Sequence, residues 1–159
     1  MKIESLLIAL VAFSVNLPAP VFGAEVFTGR VVAVLDGDTL DVLQAGNVVR
    51  RVRMAEIDAP EKAQAFGSRS KLSLSGICFS KQAQVQVIDT DRYGRTVGRV
   101  NCDGTDANLI QVQRGMAWAY RQYAKDPIII HAENQAREQR IGLWADPSPT
   151  PPWQWRRLR

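Results

Sequence analysis

Short segments in which apolar and polar residues alternate, separated by tight turn signals, constrain the fold of this chain most strongly. Alternation with a period of two is the pattern of a strand with one buried face. The predicted strands span residues 26–35, 39–43, 48–57, 82–88 and 95–101. The first three are joined by short turns at residues 36–38 and 44–47, so we predict an antiparallel meander at the start of the fold.

Three helices are predicted among and after these strands. Apolar residues recur at helical spacing over 65–77, and two more helices are predicted over 107–114 and 128–140. Asp106 and Asp126 precede the second and third helices as capping residues. Five strands with three interspersed helices predict an α+β fold, a five-stranded antiparallel barrel of the oligonucleotide-binding (OB) type.

The chain divides into three parts on composition. Residues 6–15 are an apolar run that is too short to span a bilayer, followed by a proline-containing stretch that closes on small residues. We predict a cleavable secretory signal over residues 1–23, with a buried N-terminal strand or helix as the alternative. Residues 24–145 form one domain, and residues 146–159 form a tail rich in proline, tryptophan and arginine. We therefore expect a secreted or periplasmic monomer without lasting membrane association.

Histidine and cysteine usage excludes several kinds of chemistry. His131 is the only histidine and falls within the third predicted helix, so we expect a partly exposed helix residue there and no histidine-based mechanism. Cys78 and Cys102 lack the spacing of a zinc site. They fall at the same open end of the fourth and fifth strands, which predicts a disulfide in an oxidising compartment. Two buried free thiols are the alternative.

Carboxylates gather at two strand junctions. Asp36 and Asp38 flank Gly37 in one turn, and Asp58 and Glu61 flank an Ala-Pro pair after the third strand. If the second and third strands pair, both clusters reach the same end of the sheet. A divalent cation held by oxygen ligands would relieve the repulsion between them. Taken singly, each cluster is equally consistent with a plain turn or a strand exit.

Arginines accompany the acids. Arg53 lies on the same predicted strand as Asp58, and Arg95 lies at the tip of the other hairpin. The planar guanidinium matches phosphate oxygens and stays charged at any working pH. The net charge of +4 favours polyanionic partners only weakly. The pattern indicates a phosphoryl-transfer site, with a solvated arginine-rich strand face as the alternative.

Five stretches together resemble the thermonuclease (staphylococcal nuclease-like) family in order and spacing. They are residues 34–40 (VLDGDTL), 53–61 (RMAEIDAPE), 91–95 (DRYGR), 108–117 (NLIQVQRGMA) and 140–144 (RIGLW). The resemblance implies an OB barrel with three helices. It also implies Ca²⁺-dependent cleavage of DNA and RNA with little sequence preference, leaving 3′-phosphate and 5′-hydroxyl ends.

The resemblance also implies roles for individual residues. The carboxylates of Asp38 and Asp58 and the backbone carbonyl of Ala59 fall at the Ca²⁺-ligand positions, and Glu61 falls at the general-base position. The residues implied to contact substrate are Arg53 and Arg95, at phosphate-clamping positions, and Tyr93 and Tyr120, near positions that line the nucleotide pocket. Two rival functions remain open: a barrel that binds single strands without cutting them, and a calcium-stabilised interaction protein.

Overall fold

The computed structural model describes residues 25–158, so the predicted signal over residues 1–23 lies outside the described residues. The strands are β1 (Val26–Val34), β2 (Thr39–Leu43), β3 (Val49–Met54), β4 (Ile57–Asp58), β5 (Gln82–Thr90), β6 (Thr96–Cys102), β7 (Thr105–Asp106) and β8 (Trp118–Ala119). The helices are α1 (Gly67–Cys78), α2 (Ala107–Gln113), α3 (Pro127–Glu138) and α4 (Pro152–Trp155), with 3-10 turns at Ala45–Asn47, Gly142–Ala145 and Arg156–Leu158. No helix within the described range is long and apolar enough to cross a membrane.

Five strands close into a barrel, which confirms the predicted α+β architecture. The sheet runs in the order β3-β2-β1-β5-β6, with each of these neighbours antiparallel. The barrel differs from the predicted antiparallel one at the closing pair, β3 and β6. This pair is parallel and aligns Val52 with Thr96 and Arg53 with Val97. Strand direction reverses at each of the four antiparallel steps, so the first and fifth strands of the ring must point the same way.

The core fills the barrel interior with the inward residues of the alternating strands. Leu40, Val42, Val52, Val85 and Val100 have no exposed surface. Burying one side chain of this size stabilises the fold by about 1.5–3 kcal/mol relative to leaving it exposed. The sequence alternation therefore fixes which face of each strand lines the barrel and which face is left for other functions.

The three predicted helices are confirmed to within about two residues at each end. Asp106 accepts a hydrogen bond from the Leu109 N–H at 3.0 Å, and Asp126 accepts one from the Ile128 N–H at 2.8 Å. Both aspartates are therefore the N-caps that the sequence predicts. The fourth helix, α4, lies in the C-terminal tail, for which no element was predicted.

The chain breaks sharply at Glu56, where an unbroken strand over 48–57 was predicted. Glu56 adopts φ +65°, and its backbone carbonyl accepts a hydrogen bond from the Tyr120 N–H at 2.8 Å. Its carboxylate accepts hydrogen bonds from the N–H groups of Lys125 at 2.7 Å and Asp126 at 2.8 Å. These contacts turn the chain into β4, where Asp58 pairs with Trp118 of β8.

The predicted disulfide joins the end of α1 to the end of β6. Cys78 and Cys102 are bonded with their Cα atoms 5.3 Å apart, and neither has exposed surface. This separation is in the range that an unforced disulfide requires. The bridge ties α1 to the barrel, which confirms the pairing and excludes the alternative of free thiols.

Candidate active site

The turn between β1 and β2 packs closely against two other parts of the chain. A Cβ atom on Gly37 would lie 1.8 Å from Ser70 Oγ of α1 and 2.8 Å from the Ala59 Cβ. The Gln111 side chain of α2 donates to the Gly37 carbonyl at 2.7 Å. Gly37 is not among the residues of positive φ. Glycine is therefore needed for space at this position.

Asp38 lies at the start of β2, where the pairing of β2 with β3 aligns Thr39 with Arg53. Its carboxylate accepts hydrogen bonds from the Ala59 N–H at 2.6 Å and the Thr39 hydroxyl at 3.0 Å. Asp36 accepts the Asp38 N–H at 3.0 Å. Burial, and then the charge of Asp38, raises the pKa of Asp36 to about 6.

Arg53 connects the two acidic segments. Its Nη1 atom lies 3.2 Å from Asp38 Oδ2, and its Nη2 atom donates to Asp58 Oδ1 at 2.9 Å. Nη1 also donates to the carbonyls of Met54 at 2.8 Å and Ile57 at 2.9 Å. A single planar guanidinium thus joins both carboxylates and the backbone between them, as its fork of donors allows.

Asp58 is almost completely buried, with 1% of its surface exposed. Burial is the largest influence on its carboxyl group and raises the pKa, against the opposing effects of Arg156 and Arg53. A buried carboxylate is stabilised only when cations or donors surround it. The buried carboxylate of Asp58 therefore needs positive charge beside it, and Arg53 and Arg156 supply that charge.

Glu61 follows Pro60 at the mouth of this site and is 41% exposed at its side chain. Its carboxylate accepts a hydrogen bond from Arg156 Nη1 at 2.8 Å. The same guanidinium contacts Asp58 at 2.8 Å through Nη2 and at 3.2 Å through Nη1. No role was predicted for the tail that carries Arg156. In the sequence, only the arginine content of that tail could have pointed to it.

The acidic side chains of this site offer carboxylate oxygens to a cation. Across residues 25–158, no group of three or more His, Cys, Asp or Glu side chains is close enough to form a metal cage. The two buried carboxylates, Asp38 and Asp58, nevertheless share Arg53 as a neighbour. This all-oxygen donor set fits a hard cation that retains water ligands, such as Ca²⁺.

Arg95 immediately precedes β6 and pairs with an acid of its own turn. Its Nε donates to Asp91 Oδ2 at 2.7 Å, within the β5–β6 turn. Within the described part of the chain, no hydrogen bond or ion pair links it to Asp38, Asp58 or Glu61. The register of the β3–β6 pair still places it next to the strand that carries Arg53, on the same face.

The two predicted pocket tyrosines occupy different surroundings. Tyr93, at 69% exposed, projects from the β5–β6 turn beside Arg95 and borders an open cleft of about 460 Å³ with Asp41, Arg51 and Arg95. Tyr120 is partly buried, and Trp153 of α4 stacks on its ring with centroids 5.4 Å apart and planes 7° apart. The structure therefore brings Asp38, Arg53, Asp58 and Ala59 together, and it leaves Arg95, Tyr93 and Tyr120 around the periphery.

His131 is exposed on α3, as the sequence predicted. The neighbouring Glu133 is fully buried, accepts the Ala119 N–H at 3.0 Å and pairs with Arg121 at 2.5 Å. These contacts hold β8, and through it β4, against α3. Glu133 of α3 therefore supports the position of Asp58 through β8 and β4.

Comparison with known protein families shows which family this sequence resembles. Residues 51–146 match the family described as Staphylococcal nuclease homologue. The chain belongs to the staphylococcal nuclease family. The matched residues include Arg53, Asp58, Glu61 and Arg95, whereas Arg156 lies beyond them.

Individual relatives support the assignment to the staphylococcal nuclease family. The chain is 49% identical over 142 residues to a micrococcal nuclease of Shigella flexneri, covering 82% of this chain and 81% of the relative. It is 50% identical over 130 residues to an uncharacterized endonuclease of Haemophilus influenzae, covering 82% and 73%. A staphylococcal-like nuclease of Arabidopsis thaliana is 37% identical over 107 residues, which are 67% of this chain and 33% of the plant protein.

Proposed function

We propose that this protein is an exported, Ca²⁺-dependent endonuclease that hydrolyses phosphodiester bonds of DNA and RNA with little sequence preference. The observation that carries the proposal is the bridging of two buried carboxylates, Asp38 and Asp58, by the guanidinium of Arg53. Such a cluster of oxygen ligands beside an arginine fork suits a cation and a phosphate together. The names of the relatives, nuclease and endonuclease, support the same class of reaction.

Asp38 and Asp58 would hold the cation through their carboxylates, and Ala59 through its backbone carbonyl. When bound, the cation neutralises charge on a phosphate oxygen and so lowers the barrier to attack on phosphorus. The buried position of both acids keeps their oxygens in a fixed arrangement, because Thr39, Ala59 and Arg53 all hydrogen-bond to them. These residues supply a pre-organised site whose geometry does not depend on exposed loops.

Glu61 acts as the general base. It lies beside Asp58, remains 41% exposed at its side chain and is therefore accessible to a water molecule. Its carboxylate accepts a proton as the water oxygen bonds to phosphorus, and the bond from phosphorus to the 5′ oxygen breaks. The departing oxygen takes a proton from solvent, which gives a 3′-phosphate and a 5′-hydroxyl.

The two arginines stabilise the additional negative charge of the five-coordinate state. The Nε–H and one Nη2–H of Arg53 have no hydrogen-bond partner among the described residues and are left to donate to a phosphate oxygen. The guanidinium of Arg95 donates to Asp91 through Nε, which leaves its Nη groups to donate to a phosphate oxygen as well. A donor of this kind contributes about 3–4 kcal/mol to lowering the barrier.

Export is the remaining part of the proposal. The predicted signal over residues 1–23 and the disulfide between Cys78 and Cys102 both agree with an oxidising location outside the cytoplasm. We expect the mature protein to be a periplasmic or extracellular monomer that is not bound to membranes.

The decisive test is digestion of supercoiled plasmid and of single-stranded RNA with Ca²⁺ and with a chelator. We expect cleavage only with Ca²⁺, and fragments whose 5′ ends accept a radioactive phosphate from a kinase without prior dephosphorylation. Glu61→Ala should lose activity by about 10²–10⁴-fold, whereas Glu138→Ala, an exposed α3 residue, should not. A protein that retards nucleic acid on a gel but never cuts it would establish the binding-module alternative.

A further inference from the structure

The C-terminal segment over residues 147–158, which we call the strap, docks beside the candidate site. Gln64 donates through Nε2 to the Thr150 carbonyl at 2.6 Å, and Pro152 is buried. The Trp153 ring packs edge-on against Trp118 with centroids 5.5 Å apart. Four prolines over 147–152 restrict the conformations of the strap and make its ordering less costly. The strap is therefore a folded part of the protein surface.

Arg156 of the strap satisfies the same carboxylates that the proposed function gives to the cation and to the base. Its guanidinium bridges Asp58, at 2.8 Å and 3.2 Å, and Glu61, at 2.8 Å. The pKa of Arg156 is raised, chiefly by its hydrogen bonds to Asp58. A metal ion and this guanidinium compete for Asp58 because both need its oxygens.

Trp153 covers a second element of the site. It stacks on the ring of Tyr120 in an almost parallel arrangement, with the planes 7° apart. An aromatic face that stacks on tryptophan cannot also stack on a nucleotide base. The metal-binding carboxylate and the aromatic face are thus both occupied by residues three positions apart in the strap.

We infer that the strap is an autoinhibitory element: when docked, it withholds Asp58 and Tyr120 from cation and nucleotide and pairs with Glu61, and the binding of cation and nucleotide displaces it. The inference rests on the proposed function and adds a regulatory step to it. Docking of the strap and binding of the cation exclude each other, so each weakens the other by the same free energy. The Ca²⁺ affinity of the protein therefore reports how strongly Arg156 holds the docked strap.

Two features of the docked strap favour its release. Arg156 and Glu61 are 42% and 41% exposed at their side chains, and ion pairs at that exposure are weakened by solvent. A cavity of about 70 Å³, bordered by Pro60, Gln64 and Trp155, separates part of the strap from the domain. An incompletely packed contact forfeits part of its dispersion energy, which favours reversible undocking.

The test is calorimetric titration of Ca²⁺ into the disulfide-bonded mature protein and two variants, Arg156→Gln and Arg157→Gln. The variants remove the same charge from neighbouring exposed positions, and only Arg156 contacts the acids. We expect Arg156→Gln to bind Ca²⁺ more tightly, on the order of tenfold, and Arg157→Gln to match the wild type. Arg156→Lys keeps the positive charge but loses the planar guanidinium, so its Ca²⁺ affinity should lie between those of Arg156→Gln and the wild type.

Equal affinities in the wild type, Arg156→Gln and Arg157→Gln, or weaker binding by Arg156→Gln, would overturn the inference while leaving the proposed function intact. Absence of Ca²⁺ binding by every variant, together with absence of cleavage, would overturn both. Hydrogen–deuterium exchange of the wild type gives a readout that does not depend on a substitution. Ca²⁺ should increase amide exchange within residues 147–158 and decrease it around Asp58, and unchanged exchange in the strap would also contradict release.

Discussion

Arg53 donates through Nη2 to Oδ1 of Asp58 at 2.9 Å, so an arginine of a barrel strand holds a carboxylate that lies beyond the break at Glu56. The same guanidinium reaches Asp38, which immediately precedes the adjoining strand β2. The Arg53 side chain, together with the Ala59 N–H that donates to Asp38, therefore sets the relative position of the two acids. Any change to that side chain should affect both the stability of the fold and the chemistry of the site.

Arg53→Lys tests this dependence. An ammonium group keeps the charge but cannot bridge two carboxylates and two carbonyls at once, so we expect kcat to fall by about 10²–10³-fold and the free energy of unfolding to fall by about 3 kcal/mol. Urea unfolding and single-turnover cleavage measure the two effects. Arg99→Lys is the control, since Arg99 also joins carboxylates, those of Glu56, Asp106 and Asp126, and touches none of the acids assigned to the site. It should lose stability and keep kcat, and wild-type kcat in the Arg53→Lys variant would contradict the assignment.

Gly37→Ala tests the close packing of the β1–β2 turn. The added methyl group would overlap Ser70 Oγ, so we expect a loss of about 1–3 kcal/mol in the free energy of unfolding and weaker Ca²⁺ binding as the turn moves. Gly76→Ala is the matched control, because nothing lies within 4 Å of a Cβ there and α1 should gain about 1 kcal/mol from the better helix former. Adding Ser70→Ala to Gly37→Ala should restore part of the loss. Wild-type stability in Gly37→Ala alone would contradict the packing argument.

The disulfide should contribute substantially to stability. Cys78 and Cys102 are separated by 24 positions in sequence, and closing a loop of that size stabilises a fold by about 3 kcal/mol. We expect the urea midpoint of the wild type to fall on addition of a reductant. The double variant Cys78→Ala/Cys102→Ala should have the lower midpoint from the outset and be insensitive to reductant. Identical midpoints with and without reductant in the wild type would rule out this contribution.

Asp126 should make the stability depend on pH. The hydrogen bond from Arg99, and then the one from the Ile128 N–H, lower the pKa of Asp126 from its usual 3.8. A lowered carboxyl pKa in the folded state means that the stabilisation is complete above the unfolded value and is lost as the pH falls through the folded one. We expect Asp126→Asn, which can still cap α3, to lose about 1–2 kcal/mol in the free energy of unfolding at pH 7.

The same variant should approach the wild type in stability as the pH falls below 3.8 towards the folded pKa. Asp103→Asn is the control, because it removes an equal charge from an exposed turn. Denaturant unfolding at several pH values measures the difference. A loss for Asp126→Asn that stays constant from neutral to acidic pH would show that the ion pair with Arg99 is not its source.

Local rules predicted most of the barrel from the sequence. The alternation over residues 39–43 coincides with β2, and the capping aspartates Asp106 and Asp126 mark the starts of α2 and α3. The disulfide between Cys78 and Cys102 was predicted from their places at one end of the hairpin and from an oxidising compartment. The strand and the caps depend on residues that are near one another in the chain, which explains why a single sequence reveals them.

Features set by distant contacts were not predicted. The break at Glu56 depends on N–H groups of Tyr120, Lys125 and Asp126, and none of these is near it in sequence. The docking of Arg156 onto Asp58 and Glu61 likewise depends on tertiary packing. For the site, the pairing of β2 with β3 could be predicted and brings Asp38 to Arg53. Tyr120 could be named but not placed, because its ring stacks on Trp153 of the distant tail.

The parallel pairing of β3 with β6 has a consequence for when catalysis becomes possible. Arg53 lies on the strand that completes the ring, and its alignment with Val97 joins parts of the chain made far apart in time during synthesis. Non-local pairings of this kind form late, because the intervening chain must first be ordered. A nascent polypeptide that ends before residue 97 therefore cannot close the ring around Arg53, and the assembled site forms only once β6 has been made.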